Sequence, residues 1–277
     1  MMLLVGGISY AQDGLNLPSE MFVLFNDGRL DSYGIGAAGI TTIMPGEEPF
    51  IIDFGVAPDG NWLAYRTQEG LFLHHMYRDD TILLDSQADV PPLRGQGETL
   101  AWTHNGDTLA YTTRAGLRVY FNEGSPNPVF VDVPTTPLLN LQWSPDGSHL
   151  AAEAEDNIWW IYRRDRSAVP PAMTLVSAIP ASDGVAWVGS AQLVFTPPEG
   201  GLILMDMANA NQQTVLLDDD TIYAKPYYRA DENAILVFGR GRFDTELEEG
   251  AAILKRYDLS ADEIIDVGVE PVALSHT

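Results

Sequence analysis

Acidic side chains are the most abundant groups in this sequence that could do chemistry. The 277 residues include 39 Asp and Glu against 15 Lys and Arg. One acidic run, Asp218, Asp219 and Asp220, could bind a hard cation such as Ca²⁺, which prefers carboxylate oxygens. A calcium loop would add ligands at alternating positions, and the run has none, so a solvated loop is the competing interpretation. We expect no cofactor unless Ca²⁺ binds this run.

The common catalytic motifs are missing from the sequence. It contains no G-x-S-x-G nucleophile elbow, no H-E-x-x-H zinc motif, no phosphate-binding glycine loop and no EF-hand pattern. The chain has no cysteine, which excludes disulfides, thiolate metal sites and cysteine nucleophiles. His74 and His75 are adjacent on a predicted strand and should point to opposite faces, so they cannot share one metal ion. We therefore expect no catalytic residue, and the sequence favours a protein that is not an enzyme.

The charge of the chain limits its partners. The formal net charge is −24, which would repel the phosphates of nucleic acids and anionic membrane surfaces. The sequence also has no apolar stretch of the ~20 residues that a transmembrane helix needs. We expect neither nucleic acid binding nor a membrane span.

A turn motif repeats along the chain after a short apolar strand. The copies are GVAPDGNWLAY from Gly55, AWTHNGDTLAY from Ala101, QWSPDGSHLAA from Gln142, AWVGSAQLVF from Ala186 and YYRADENAILVF from Tyr227. The residues just before the turns are spaced by 46, 41, 44 and 41 residues, which is the length of one propeller blade. Each copy is followed by further strand patterns, such as residues 71–76 and 81–84, so each repeat should hold four strands. Asp-Gly and Asn-Gly between apolar strands are typical of tight hairpin turns.

These repeats predict an all-β fold, a six-bladed β-propeller of four-stranded antiparallel blades. Residues 21–277 should form this single domain. Residues 21–27, 29–35 and 40–44 supply three strands of a further blade, and residues 271–275 follow the last repeat as a first strand. Pairing the C-terminal strand with the three N-terminal strands would complete this blade and close the ring. We favour this closure because it explains both ends, but residues 8–14 could supply the missing strand instead.

Residues 1–20 also bear on the location of the protein. They are either a signal-peptide remnant or the first strand. Residues 1–12 hold an apolar run followed by Ser9, Tyr10 and Ala11, with small residues at the two positions that signal peptidase reads. A basic region is missing. We expect an extracytoplasmic protein, periplasmic or secreted.

The repeat resembles that of a known family. The segment LQWSPDGSHLAAEAEDNIWWIYRRD, residues 141–165, is similar to the WD-repeat-like propeller repeat of TolB, of prolyl-oligopeptidase-type peptidases and of tricorn protease. VAPDGNWLAYRTQEGLFL supports the resemblance. The motif positions a turn and implies a TolB-like propeller without implying any chemistry. TolB has an additional α/β domain and the peptidases add a hydrolase domain, so this chain resembles a stand-alone propeller.

Propeller geometry predicts where a ligand would bind. The loops between blades, and those between second and third strands, gather on one face around the channel mouth. The long insertion at residues 239–250 should present Arg240, Arg242 and Phe243 on this face, and the loop at 86–97 should present Arg94. Residues that open the innermost strands should ring the channel: Asp53, Thr99, Asn140, Asp183 and Lys225.

We therefore expect a non-catalytic binding or scaffold module that engages a protein, a peptide or a glycan through its channel-mouth loops. One alternative is a carbohydrate-active hydrolase or lyase whose paired channel carboxylates act as acid and base. Another is a structural subunit of a larger assembly. Channel carboxylates with raised pKa values would favour the enzyme, and an exposed apolar patch on the loops would favour protein binding.

Overall fold

A computed structural model describes ten ranges of the chain: residues 20–35, 39–78, 80–88, 99–122, 129–131, 138–168, 171–209, 212–219, 221–241 and 251–271. In these ranges the chain forms strands and one short 3-10 turn, Glu155–Asn157. The strands build six antiparallel sheets, which follow one another along the sequence and are numbered here in that order.

Sheet 1 has three strands, and the other five sheets have four each. Sheet 1 contains β1 (Met21–Leu24), β2 (Leu30–Tyr33) and β3 (Ile40–Met44). Sheet 2 contains β4 (Asp53–Val56), β5 (Trp62–Thr67), β6 (Gly70–His75) and β7 (Thr81–Asp85). Sheet 3 contains β8 (Leu100–Trp102), β9 (Thr108–Thr113), β10 (Gly116–Phe121) and β11 (Val129–Val131). Sheet 4 contains β12 (Leu139–Trp143), β13 (His149–Glu153), β14 (Ile158–Asp165) and β15 (Ala172–Pro180). Sheet 5 contains β16 (Val185–Val188), β17 (Gln192–Phe195), β18 (Leu202–Asp206) and β19 (Gln212–Leu217), and sheet 6 contains β20 (Thr221–Arg229), β21 (Ala234–Gly241), β22 (Ala251–Asp258) and β23 (Glu263–Pro271).

Within each four-stranded sheet the strands lie side by side in chain order. The first strands of successive sheets contact one another, as β4 does with β8 and β16 does with β20. The first strand is therefore the innermost one, and the fourth lies at the periphery. This arrangement confirms the predicted propeller architecture of six sheets.

Hydrophobic packing holds successive sheets together. The described core consists of five clusters, each between two neighbouring sheets. Adjacent residues of one second strand serve different clusters: Leu109 packs towards sheet 2 and Ala110 towards sheet 4, and both are fully buried. A strand covered on both faces has to be apolar on both faces, which explains why the repeats do not alternate between apolar and polar residues.

The predicted hairpin turns are confirmed in sheets 2, 3 and 4. Gly60, Gly106 and Gly147 have φ values of 71°, 71° and 66°, which favour glycine because a Cβ would be strained there. The preceding polar residue also holds the turn. In sheet 4, for example, the Asp146 carboxylate accepts hydrogen bonds from the backbone N–H and the hydroxyl of Ser148.

Three tryptophans at the ends of innermost strands link neighbouring sheets. The indole N–H of Trp102 donates to the carbonyl of Gly55 at 3.0 Å, that of Trp143 to Ala101 at 3.0 Å, and that of Trp187 to Gln142 at 3.1 Å. In each case the acceptor is the residue just before the one that occupies the tryptophan's repeat position in the preceding sheet. The repeated aromatic residue before the turn therefore joins the sheets as well as filling the core.

Two polar clusters join the sheets further from the axis. The Asp85 carboxylate of sheet 2 accepts hydrogen bonds from Tyr111 at 2.7 Å and from Arg118 at 2.8 Å, both in sheet 3. The Asp107 carboxylate of sheet 3 forms an ion pair with Arg164 of sheet 4 at 3.1 Å. Because each carboxylate is paired, these charges can lie between the sheets without an unpaired burial cost.

The strand that would complete sheet 1 lies outside the described residues. The predicted C-terminal strand at 271–275 has to be corrected at its start, because Pro271 ends the fourth strand of sheet 6. Residues 272–277 and the alternative segment at 8–14 are not described, so both closures of the ring stay predictions. Within the described ranges, no helix is long and apolar enough to cross a membrane.

Candidate channel-mouth site

The innermost strands bring the predicted channel residues to one end of the sheets. Asp53 opens β4, Thr99 immediately precedes β8 and Asp183 lies two residues before β16. Asn140 is the second residue of β12. Lys225 departs from the prediction, since β20 begins four residues earlier at Thr221 and Lys225 lies in its middle.

Three of these residues have a left-handed backbone. The φ values are 48° for Asn140, 54° for Asp183 and 49° for Lys225, a region that non-glycine residues adopt rarely. In β12 and β20 the residue belongs to a bulge, where the pairing with the second strand shifts register. A bulge re-aims the side chain and is common beside binding sites. No sequence motif marks these left-handed residues, and the only signal for them is the residue type, since Asn and Asp tolerate positive φ.

Asp53 and Thr99 connect sheets 2 and 3 at this end. The Thr99 hydroxyl donates to the Asp53 carboxylate. Arg66, which is fully buried, pairs with Asp53 in the strand register and donates to the carbonyl of Ala88 at 2.9 Å. Burial raises the pKa of Asp53 above its ordinary value, although the Thr99 hydrogen bond and the charge of Arg66 act in the opposite direction.

Asp183 and Lys225 make the corresponding connection between sheets 5 and 6. The backbone N–H of Lys225 donates to the carbonyl of Asp183 at 2.9 Å. The surrounding protein raises the pKa of Asp183 by desolvation, and the positive charge of Lys225 opposes this effect. Asn140, between these two pairs in the chain, donates from its side-chain amide to Glu153 of its own sheet. The site therefore consists of three polar pairs carried by different sheets.

Other predicted residues are only partly described. Arg240 is half-buried near the end of β21, where it pairs in register with Ile222. Arg94, Arg242 and Phe243 lie outside the described residues, so the predicted roles of their loops stay predictions.

One carboxylate of the acidic run already accepts hydrogen bonds from nearby residues of the chain. The Asp219 carboxylate accepts the backbone N–H of Thr221 at 3.0 Å and the hydroxyl of Tyr223 at 2.8 Å. Asp218 is exposed, and Asp220 is not among the described residues. In the part of the chain that the structure describes, no group of three or more His, Asp or Glu side chains could hold a metal ion. Ca²⁺ binding at Asp218, Asp219 and Asp220 stays a prediction.

The loops at this end carry mainly negative charge. Their exposed acidic residues, within the described ranges, are Asp27, Glu47, Glu48, Glu69, Glu155, Asp156, Asp183, Glu199, Asp218 and Asp219. The exposed basic residues at this end, within the same described ranges, are Arg114 in a loop and Lys225 in β20. Arg29, half-buried, forms an ion pair with Asp31 at 3.2 Å. This surface would attract a cationic partner and repel an anionic one.

Comparison with known proteins identifies the fold. No family model matches the chain, and no curated protein sequence matches it. Among solved structures, one from the Mitotic Checkpoint Complex has 13% identity and a TM-score of 0.61, covering 97% of this chain and 90% of that one. The C-terminal WD40 domain of Sif2 has 14% identity and a TM-score of 0.51, covering 79% and 73%.

A peptidase structure is also similar. Dipeptidyl peptidase 4 of Porphyromonas gingivalis has 10% identity and a TM-score of 0.63, covering 87% of this chain but only 42% of the peptidase. Structures of TolB match with TM-scores of 0.46 and 0.42. At these identities the similarity concerns the fold alone. The predicted resemblance is confirmed at that level by the structures with TM-scores above 0.5: the chain has a WD-repeat-like β-propeller fold.

Proposed function

We propose that this protein is a non-catalytic binding or scaffold module that holds a basic protein or peptide segment on its channel-mouth face. The observation that carries the proposal is the charge of the described residues at this end, where exposed acidic residues far outnumber the exposed basic residues Arg114 and Lys225. Complementary charge accelerates encounter and selects partners. The similar propeller in the Mitotic Checkpoint Complex belongs to a protein assembly, which is compatible with protein binding.

The proposal extends to location and to other ligands. Ser9, Tyr10 and Ala11 have the size pattern that signal peptidase reads, which supports an extracytoplasmic location. The affinity for a glycan would depend less on charge than the affinity for a basic peptide does. A strong salt dependence of binding therefore supports the peptide over the glycan.

A peptide titration tests the proposal. The probe is a fluorescently labelled peptide of alternating Arg and Ser, followed by anisotropy at low salt, with a Glu and Ser peptide as the reference. The mouth variant combines Glu155→Gln with Asp156→Asn; both side chains are exposed, and Asn tolerates the left-handed φ of 60° at position 156. With ~0.2–1 kcal/mol for each exposed charge, Kd should rise about fivefold.

A control with the same change in charge separates a local site from general attraction to an acidic protein. Asp80→Asn with Glu263→Gln alters exposed residues at the opposite ends of the sheets. This control should leave Kd unchanged. An equal loss of affinity in both variants, or equal binding of the acidic peptide, would overturn the proposal.

A second candidate function rests on two carboxylates. Desolvation raises the pKa values of Asp53 and Asp183, which lie on sheets 2 and 5 at the same end. A raised pKa is typical of the acid in glycoside cleavage. Release of reducing sugar from a polysaccharide panel, lost in Asp53→Asn and in Asp183→Asn, would support this carbohydrate-active candidate. No release by the unmodified protein would reject it for the polysaccharides tested.

A further inference from the structure

The predicted channel residues differ in whether their side chains are already paired. The Thr99 hydroxyl donates to the Asp53 carboxylate, and the Asn140 amide donates to a carboxylate of its own sheet. Asp183 and Lys225 are joined through the backbone instead, by the 2.9 Å hydrogen bond from the N–H of Lys225 to the carbonyl of Asp183. This bond holds the two residues side by side without using either side chain.

The charged groups of Asp183 and Lys225 are exposed and close together. Both side chains are exposed to solvent. The positive charge of Lys225 acts on Asp183 and opposes the rise that desolvation causes in the pKa of its carboxyl. Even so, none of the ion pairs among the described residues includes either side chain. A carboxylate and an ammonium group therefore lie near each other at the mouth without forming an ion pair.

The backbone fixes the position of this pair. The φ values of 54° for Asp183 and 49° for Lys225 are left-handed, and Lys225 also belongs to the bulge of β20. Asp tolerates such a φ, whereas lysine has no local preference for it. Non-glycine residues in this conformation cost stability and are concentrated at functional sites. A role for the amine would explain why lysine stands at a position that its backbone does not favour.

Arg114 provides a comparison, because it is the other exposed basic residue at this end within the described ranges. It lies in the turn between β9 and β10 and is not among the left-handed residues of those ranges. Of these two exposed cations, Lys225 alone is linked by a hydrogen bond to an exposed acidic residue of the neighbouring sheet.

An ammonium group beside a carboxylate is complementary to a ligand that presents a carboxylate beside a cation. A basic peptide has this arrangement at a C-terminal Arg or Lys, where the free α-carboxylate lies next to the charged side chain. We propose that Lys225 and Asp183 form a subsite for this C-terminal residue, in which Lys225 binds the α-carboxylate and Asp183 binds the basic side chain. The inference rests on the proposed function, since it identifies which end of the basic segment enters the mouth.

Two peptides of alternating Arg and Ser test the subsite. Both are labelled at the N-terminus and end in Arg, one as the free acid and the other as the C-terminal amide. The amide has one more positive charge, so general attraction to the acidic mouth would make it bind more tightly. The subsite predicts the opposite order. Because an exposed ion pair contributes only modestly, the free acid should have a Kd about threefold lower in anisotropy titrations at low salt.

Matched variants identify the group that is responsible. Lys225→Asn removes the amine and keeps a residue that tolerates the left-handed φ. It should reverse the order, so that the amide binds more tightly, and its Tm should be no lower than that of the unmodified protein. Arg114→Asn removes the same charge at the same end of the sheets, and it should keep the preference for the free acid.

Three outcomes would overturn the subsite. They are tighter binding of the amide by the unmodified protein, an equal loss of the preference in Arg114→Asn, and a clearly lower Tm for Lys225→Asn, which would assign the lysine a structural role. Each of them leaves the proposed function standing as long as both peptides bind. Binding of neither peptide would contradict the proposed function itself.

Discussion

Replacing Asp107 with Asn should reveal how much one ion pair between sheets stabilises the fold. The carboxylate accepts hydrogen bonds from Thr103 at 2.9 Å, from Thr108 at 2.7 Å and from Arg164 of the next sheet at 3.1 Å. Partial burial opposes ionisation, but these hydrogen bonds and the attraction of Arg164 outweigh it and lower the pKa of Asp107 from 3.8 to about 2. The side chain is 24% exposed, so solvent screens the interaction only in part.

The pKa shift gives both the size and the sign of the effect. At about 1.4 kcal/mol per pKa unit, the charged carboxylate contributes about 2 kcal/mol to the free energy of unfolding. The folded-state pKa is the lower one, so the contribution is complete above the unfolded-state value of 3.8 and is lost as the pH falls towards 2. Asp107→Asn should therefore lower the free energy of unfolding by about 2 kcal/mol at pH 7 and by much less at pH 2.5.

Urea titrations at the two pH values, followed by tryptophan fluorescence, provide the measurement. The matched control is Asp59→Asn, because Asp59 occupies the corresponding turn of sheet 2 and its carboxylate accepts hydrogen bonds from Asn61 of the same turn. This control should cost less than Asp107→Asn at pH 7, because its carboxylate bonds only within its own turn. If Asp107→Asn loses the same free energy at pH 2.5 as at pH 7, the ion pair is not the source of the stability and the reasoning fails.

Three further substitutions test the packing, each by the free energy of unfolding at pH 7. Trp143→Phe leaves the carbonyl of Ala101 in the preceding sheet without its donor and should cost about 2 kcal/mol. Its control is Trp160→Phe. The indole N–H of Trp160 has no hydrogen-bond partner among the described residues, so this change should cost less. Tyr111→Phe removes a buried 2.7 Å hydrogen bond to a carboxylate and should cost about 1.5–3 kcal/mol. Gly70→Ala would place a Cβ 2.4 Å from a backbone oxygen at φ +139°, costing about 2 kcal/mol or more, whereas Gly268→Ala meets nothing within 4 Å and should be nearly neutral. Equal losses within either matched pair, or an unchanged stability for Tyr111→Phe, would contradict these expectations.

The sequence predicted the sheets well because each repeat carries residues whose local preferences specify its hairpin turn. Strands predicted at 81–84 and 40–44 are found at Thr81–Asp85 and Ile40–Met44. Glycine in a left-handed turn and apolar residues on both strand faces need no knowledge of distant contacts. The tryptophan hydrogen bonds between sheets were less visible, although three tryptophans at one repeat position were a usable signal.

The candidate site was harder to predict because its geometry depends on register. The repeat spacing predicts Lys225 at the start of a strand, but β20 begins four residues earlier, at Thr221, and a bulge in β20 accommodates the difference. Lysine has no local preference for a φ of 49°. Its conformation must be stabilised by the surrounding sheet, through contacts such as the hydrogen bond from its N–H to Asp183 in the neighbouring sheet. Single-sequence patterns do not contain that information.

The two ends of each innermost strand have different constraints, and this difference supports a binding role for the mouth. At the far end, Trp102, Trp143 and Trp187 repeat one hydrogen bond to the preceding sheet, so packing restricts the residue type in these three sheets, while sheets 2 and 6 carry Val56 and Tyr228 there. At the mouth, the equivalent positions of different sheets carry an acid, a hydroxyl, an amide and an amine, and they are linked in pairs rather than by one repeated contact. Because these tryptophan hydrogen bonds stabilise the contacts between sheets at the far end, the residue types at the mouth can vary while the propeller still folds. Variation among otherwise repeated units, concentrated at one face, is the pattern expected of a surface that a ligand selects.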